Sequence, residues 1–139
     1  MQAHLADPRM GVWKLNLAKS KYGAIPQPKS VTVTWAAQEE GGIKYTANGI
    51  DAQGQSTHAE FSGKFDGKDY KVTGSPILDT VAVKRIDART TEATGKKAGK
   101  VVVTTKGVIS EDGKTETTVW MGTDEKGQPQ SWTTVMDKH

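Results

Sequence analysis

Turn-forming residues recur through this chain at short intervals and leave segments of strand length between them. Glycine, asparagine and aspartate mark the turns, at Gly41–Gly42, Asn48–Gly49, Asp66–Gly67, Gly74–Pro76, Gly99 and Asp112–Gly113. The intervening segments are rich in Thr and Val, which favour β-strands, and they show no helical periodicity. Short turns between such segments are typical of an antiparallel meander.

The composition fits one small β domain. A chain of 139 residues lies in the size range of a single domain. Its hydrophobic fraction is 35% and its mean hydropathy is -0.60, yet it contains four Trp, which disordered segments avoid. We therefore expect a thin-walled β protein with a very polar outer face.

Charge and residue usage exclude several classes of function. The 19 Lys and Arg against 16 Asp and Glu give a net charge of +3, and the basic residues are scattered rather than gathered in an Arg-rich patch. The absence of Cys excludes disulfides and Cys-based metal or nucleophile chemistry. The histidines His4, His58 and His139 lack zinc-binding spacing. We expect no nucleic acid, no membrane span, no cofactor and no metal.

Residues 1–10 carry no strand pattern, and we expect a flexible arm there, followed by a single β-barrel domain over residues 11–139. No signal peptide pattern is present. The unpatterned first residues, Met1 to Pro8, would also be seen if an initiator Met had been placed before the first residue of a processed, mature protein. We therefore hypothesise an exported protein, periplasmic or secreted.

Turn counting predicts about eight to ten strands after Gly11. The segment from Lys19 to Lys29 carries Gly23, Pro26 and Pro28, which predict a loop. Short turns make sequence neighbours spatial neighbours, and closing the sheet removes its exposed edges. The fold class is therefore predicted as all-β, an antiparallel up-and-down β-barrel. An open sandwich is the alternative, although it needs longer crossovers.

The segment Gly11–Trp13 resembles the Gly-x-Trp opening of the lipocalin and fatty-acid-binding-protein superfamily, the calycins. In that superfamily the Trp plugs the closed end of the barrel. Three further segments resemble small exported bacterial proteins with a lipocalin-like barrel: Trp13–Asn16, Lys19–Tyr22 and Phe65–Tyr70. The resemblance implies a lipocalin-like fold for nearly the whole chain and no particular activity.

The chain departs from these families at several positions. Lipocalins usually carry an Arg near the last strand that packs over the Trp, whereas residues 130–139 offer Lys138 and no Arg. Fatty-acid-binding proteins insert a two-helix lid, for which residues 19–29 are too short and too rich in Pro. The Arg and Tyr with which they bind carboxylates are not matched either. The resemblance therefore supports the fold and not fatty-acid specificity.

Arg85 is the candidate polar anchor for a ligand. Strand alternation places it on one face with Val81 and Val83. An Arg that faces a barrel interior is costly unless it meets a carboxylate, a ligand or water, and its planar fork suits a bidentate anion. The alternative is that the strand frays or bulges there, so that the guanidinium reaches solvent or pairs with Asp87.

Aromatic residues on separate predicted strands are candidates to line a cavity. They are Trp35, Tyr45, Phe61 and Trp132. The alternative is that they fill a solid core, as barrels of about eight strands allow. Trp120 shares its strand face with Glu116 and Thr118, so we expect that face to point outward. Val119 and Met121 take the opposite face.

His58 and Glu60 share a strand face and could act as a general base with its carboxylate partner. Ser62 and Lys64 continue the same face, which favours a solvated outer surface. The sequence has no nucleophile elbow and no phosphate-binding glycine motif.

The leading interpretation is non-catalytic binding of a small apolar or amphipathic ligand inside the barrel, with Trp35, Tyr45, Phe61 and Trp132 as contact surface and Arg85 as anchor. One alternative is a small β-barrel lyase, isomerase or hydrolase that uses His58, with Glu60 beside it, or a buried carboxylate. A second is a solid-cored barrel that acts through its surface. The sequence specifies neither the ligand nor the oligomeric state.

Overall fold

A computed structural model describes residues 7–123 and 126–139, and these described residues form ten antiparallel β-strands. The strands are β1 Gly11–Leu15, β2 Ser30–Ala37, β3 Ile43–Ile50, β4 Ser56–Gly63, β5 Tyr70–Lys71, β6 Thr80–Asp87, β7 Thr90–Lys97, β8 Lys100–Ile109, β9 Thr115–Thr123 and β10 Pro129–Lys138. Short 3-10 turns lie at Leu17–Lys19 and Glu39–Gly41. None of the helical segments in the described part of the chain could cross a membrane.

The strands form a meander that nearly closes into a barrel. The sheet order is β4-β3-β2-β1-β10-β9-β8-β7-β6-β5, so the first strand pairs with the last and the two edges are β4 and β5. These edges meet at a seam, where Glu60 and Thr73 exchange two backbone hydrogen bonds of 2.9 Å. The predicted all-β, antiparallel up-and-down barrel is therefore confirmed, and the open sandwich is not formed.

Local turn chemistry sets the register of neighbouring strands, as the hairpin between β7 and β8 shows. Lys97 pairs with Lys100, and the two residues between them, Ala98 and Gly99, have φ values of 51° and 79°. A two-residue turn with both φ values positive has the twist that flanking strands require. The Ala98 N–H also donates to Asp79 Oδ2 at 2.7 Å, which holds the turn in place.

The buried core gathers at one end of the barrel. Trp13 is 1% exposed, and its Nε1 donates to the Arg9 carbonyl at 2.9 Å. Core residues that pack with it lie near the same ends of their strands: Trp35, Ile43, Phe61, Ile109 and Met136. Lys138 Nζ lies 5.3 Å from the centroid of the Trp13 ring. Trp13 is thus buried at the end of the barrel where the core gathers, with the Lys138 amine over its ring.

Residues 7–10, which we call the strap, pack into this closed end. Arg9 is 2% exposed and forms an ion pair with Glu116, and Asp7 Oδ2 lies 2.6 Å from Arg85 Nη2. Glu116 lines the barrel interior, where an unpaired charge is costly, and the strap supplies counter-charges both to it and to the partly exposed Arg85. The flexible arm expected at residues 1–10 is therefore corrected for residues 7–10. Its first six residues lie outside the described part of the chain.

The outward orientation expected for Trp120 is wrong. Glu116, Thr118 and Trp120 line the barrel interior, whereas Val119 and Met121 face outward and are 45% and 60% exposed. The interior here holds an ion pair and hydroxyl groups, so polar residues on β9 mark the inner face. The inner face of this strand therefore carries Glu116 and Thr118 as well as Trp120, while two apolar residues face outward.

Candidate functional site

The barrel encloses a cavity of about 370 Å³, and several core residues, among them Trp13 and Trp35, line it. Its lining comes from every long strand of the barrel and from Tyr22 in the loop after β1. Side chains therefore do not fill the interior, as the solid-cored alternative would require. Aromatic rings and threonine hydroxyls both contribute to this lining.

One surface is an aromatic wall formed by Trp35, Tyr45 and Phe61. The register places these residues directly opposite one another on β2, β3 and β4. Trp35 and Tyr45 meet edge to face with their ring centroids 4.8 Å apart, and Tyr45 stacks on Phe61 at 5.3 Å. Such pairs hold each ring in place through packing on its neighbours. The aromatic wall is therefore a continuous apolar surface rather than three separate contacts.

A second aromatic pair lies across the barrel on β9 and β10. Trp120 and Trp132 are directly opposite in register, and their rings stack at 5.9 Å with an angle of 8° between the planes. Trp120 Nε1 donates to Thr134 Oγ1 at 2.9 Å, which fixes the orientation of the indole. Both rings line the cavity.

A hydroxyl wall on β7 to β10 also lines the cavity. It consists of four threonines that line the cavity: Thr91, Thr105, Thr118 and Thr134. Thr118 and Thr134 are directly opposite in register and both are buried. A hydroxyl can donate or accept a hydrogen bond, so this wall can meet polar groups of a ligand in several orientations.

The ion pair between Arg9 and Glu116 lies at the core end of the cavity, and both residues line it. The Arg9 Nη1 donates to Glu116 Oε2, and the Arg9 guanidinium carbon lies 5.6 Å from the centroid of the Trp35 ring. Among the described residues, Arg9 Nη2 is buried and has no hydrogen-bond partner. One nitrogen of the charged pair in the cavity, Arg9 Nη2, thus forms no hydrogen bond within the described residues.

Burial raises the pKa of two tyrosines that line the cavity. Burial raises the pKa of Tyr45 to about 12, and the negative charge of Glu116 adds to the rise. Burial also raises the pKa of Tyr22 to about 12. Both hydroxyls are therefore available as donors to a ligand.

Four of the five predicted ligand-binding residues line the cavity: Trp35, Tyr45, Phe61 and Trp132. The fifth, Arg85, lies outside the cavity lining, at a register irregularity between Arg85 and Asp87. Its guanidinium carbon stands 4.3 Å from the centroid of the Phe65 ring, and its partner is Asp7 rather than the Asp87 of the alternative interpretation. The arginine that lines the cavity is Arg9.

His58 and Glu60 lie on the outer face of the barrel. The His58 Nδ1 is 2.5 Å from Asn48 Oδ1, and its Nε2 is 3.7 Å from Glu60 Oε2. Half of the His58 side chain is exposed, and neither residue lines the cavity. In the described part of the chain, no group of three His, Asp or Glu side chains could hold a metal ion.

Arg9, Glu116 and the hydroxyl wall were not predicted as site residues. Arg9 lies in a segment without pattern, and its partner is 107 residues away. Glu116 and Thr118 were assigned to the outer face with Trp120. An inward Trp120 would have brought both of them into the site, because residues two apart on a strand share a face.

No family model matches this chain, and no curated protein matches it. Twelve chains of solved structures match. One that is similar to this chain is the structure of EF1p2_mFAP2b bound to DFHBI, with a TM-score of 0.47 and 10% sequence identity over 96% of each chain.

Proposed function

We propose that the barrel binds a small, partly apolar molecule non-covalently in its cavity. The observation that carries this proposal is the mixed lining of the cavity, in which the aromatic wall and the hydroxyl wall both take part. The volume of about 370 Å³ falls within the range of roughly 300–1,000 Å³ typical of ligand pockets. Burying apolar ligand surface contributes about 25 cal/mol per Å² before the costs of association, and the hydroxyls orient the ligand.

We also propose that the barrel is calycin-like. The Gly11–Trp13 segment, the burial of Trp13 at the closed end and the Lys138 amine over its ring support this assignment. An enzymatic function has less support. His58 faces away from the cavity, and the buried carboxylate of Glu116 is engaged by Arg9.

Two neighbouring threonines on β8 allow a matched test of the proposal. Thr105 lines the cavity and Thr104 is exposed on the outer face. A panel of uncharged aromatic molecules is titrated against Trp fluorescence, because Trp120 and Trp132 line the cavity. We expect Thr105→Leu to weaken binding about tenfold or more, because the larger Leu side chain would occupy part of the cavity. Thr104→Leu should change the affinity less than about twofold.

The same titration can contradict the proposal in two ways. No change in fluorescence with any compound would leave the cavity without a ligand of the expected class. Equal weakening by Thr105→Leu and Thr104→Leu would place the binding site on the outer surface.

A further inference from the structure

We infer that the ligand carries a neutral carbonyl-type acceptor, which Arg9 binds at the core end of the cavity. This inference rests on the proposed function and names the chemical class of the ligand. It would give Arg9 a role in specificity, beyond its role as counter-charge to Glu116.

The first observation is that the hydrogen bonding of Arg9 is incomplete. The residue is 2% exposed, and its Nη1 is bonded to Glu116. The Nη2 is buried and has no partner within the described residues. A buried donor left without an acceptor costs free energy, so an acceptor supplied at this position gains more than it would at a solvated one.

The second observation is the location of the guanidinium. Its two neighbours, Glu116 and Trp35, both line the cavity, as Arg9 itself does. A ligand atom that reaches the core end of the cavity therefore lies beside the Arg9 side chain, and bonding to the buried Nη2 requires the guanidinium to turn toward it. A planar ring attached to that atom would lie along the aromatic wall.

The third observation is the charge of the site. Arg9 is already neutralised by Glu116, so a ligand carboxylate would add an unbalanced negative charge next to a buried carboxylate. The oxygen of a ketone, aldehyde or amide accepts a hydrogen bond without adding charge. The site therefore favours a neutral aromatic carbonyl compound over an aromatic acid.

Three naphthalenes with the same number of heavy atoms test this preference. They are 2-acetylnaphthalene, 2-isopropylnaphthalene and 2-naphthoate, and their affinities are measured for wild type, Arg9→Met and Arg85→Met. We expect the affinity ratio of the ketone to the isopropyl compound to fall about tenfold or more in Arg9→Met. Arg85→Met is the matched control, because Arg85 also has a buried nitrogen without a partner among the described residues. The affinity ratio should stay constant in this variant, because Arg85 does not line the cavity. Naphthoate should bind wild type more weakly than the ketone.

Arg9→Met leaves the Glu116 charge unpaired, so its fold is checked by circular dichroism. The double variant Arg9→Met/Glu116→Gln removes both charges and replaces the single variant if that one unfolds. An unchanged ratio in the Arg9 variants, or naphthoate binding more tightly than the ketone, would overturn the inference while the proposed function stands. Failure of all three compounds to bind wild type would overturn both.

Discussion

A missing side chain makes room for the charged pair in the cavity. Gly107 on β8 lies against Glu116, and a Cβ atom at Gly107 would stand 2.6 Å from Glu116 Oε2 and 3.1 Å from Thr118 Oγ1. A methyl group at Gly107 would force the end of the Glu116 side chain to move and would press on Thr118. The glycine therefore leaves space for the present position of the Glu116 carboxylate and for its bond to Arg9.

We expect Gly107→Ala to destabilise the protein by about 1–3 kcal/mol, the usual cost of overpacking a filled site. The free energy of unfolding is measured in urea. The same substitution should cost less in a Glu116→Ser background, where the space is vacant. An equal cost in both backgrounds would show that the contact with Glu116 is not the cause.

At the scale of the secondary structure elements, fewer backbone pairs join β4 to β5 than join any other two consecutive strands. Strands β2 and β3 pair along their whole length, whereas the seam has the bridge between Glu60 and Thr73. The Tyr70 ring also packs across the seam onto Gly63, where a Cβ atom would lie 2.5 Å from the ring. We therefore expect the barrel to open first at the seam.

Thr73→Pro removes the N–H that donates to the Glu60 carbonyl. We expect a loss of about 0.5–1.5 kcal/mol in stability and faster amide hydrogen exchange in β4 and β5, with β2 and β10 unaffected. Thr46→Pro on β3 is the control, and it should cost far more because β3 is paired on both sides. Exchange that rises equally in all strands after Thr73→Pro would refute a local opening.

At the scale of the whole molecule, the sequence predicts what local chemistry determines. Hairpin turns such as Ala98–Gly99 involve residues that are adjacent in the chain, so the meander could be predicted from these turns. The aromatic wall was also predictable, because alternation within each strand selects its residues. The ion pair of Arg9 with Glu116 could not be predicted, since the contact joins distant segments and reverses the expected polarity of β9.

The tyrosines of the cavity make the stability of the molecule fall at high pH. An unfolded Tyr ionises near pH 10.0, whereas Tyr45 keeps its proton until its pKa of about 12. Between these values the unfolded state binds fewer protons, so this contribution is complete below pH 10 and is lost as the pH rises through 12. We expect Tyr45 to account for about 2 kcal/mol of that loss.

The measurement is urea unfolding of wild type and Tyr45→Phe over this pH range. The variant should show a shallower decline, because it has one fewer group to ionise in the unfolded state. Identical slopes for the two proteins would mean that Tyr45 ionises alike in both states. Tyr22, whose pKa is also raised by burial, supplies part of the decline that remains in the variant.

The pairing of β1 with β10 has a consequence for the connectivity of the fold. The His139 N–H donates to the Val12 carbonyl at 2.8 Å, so the last described residue lies beside the first strand. The sheet edges fall instead between β4 and β5, which follow each other in the chain. The fold is therefore a circular permutation of an open meander. A chain that started at β5, joined residue 139 to the strap and finished at β4 would cross the same sheet from edge to edge in sequence order.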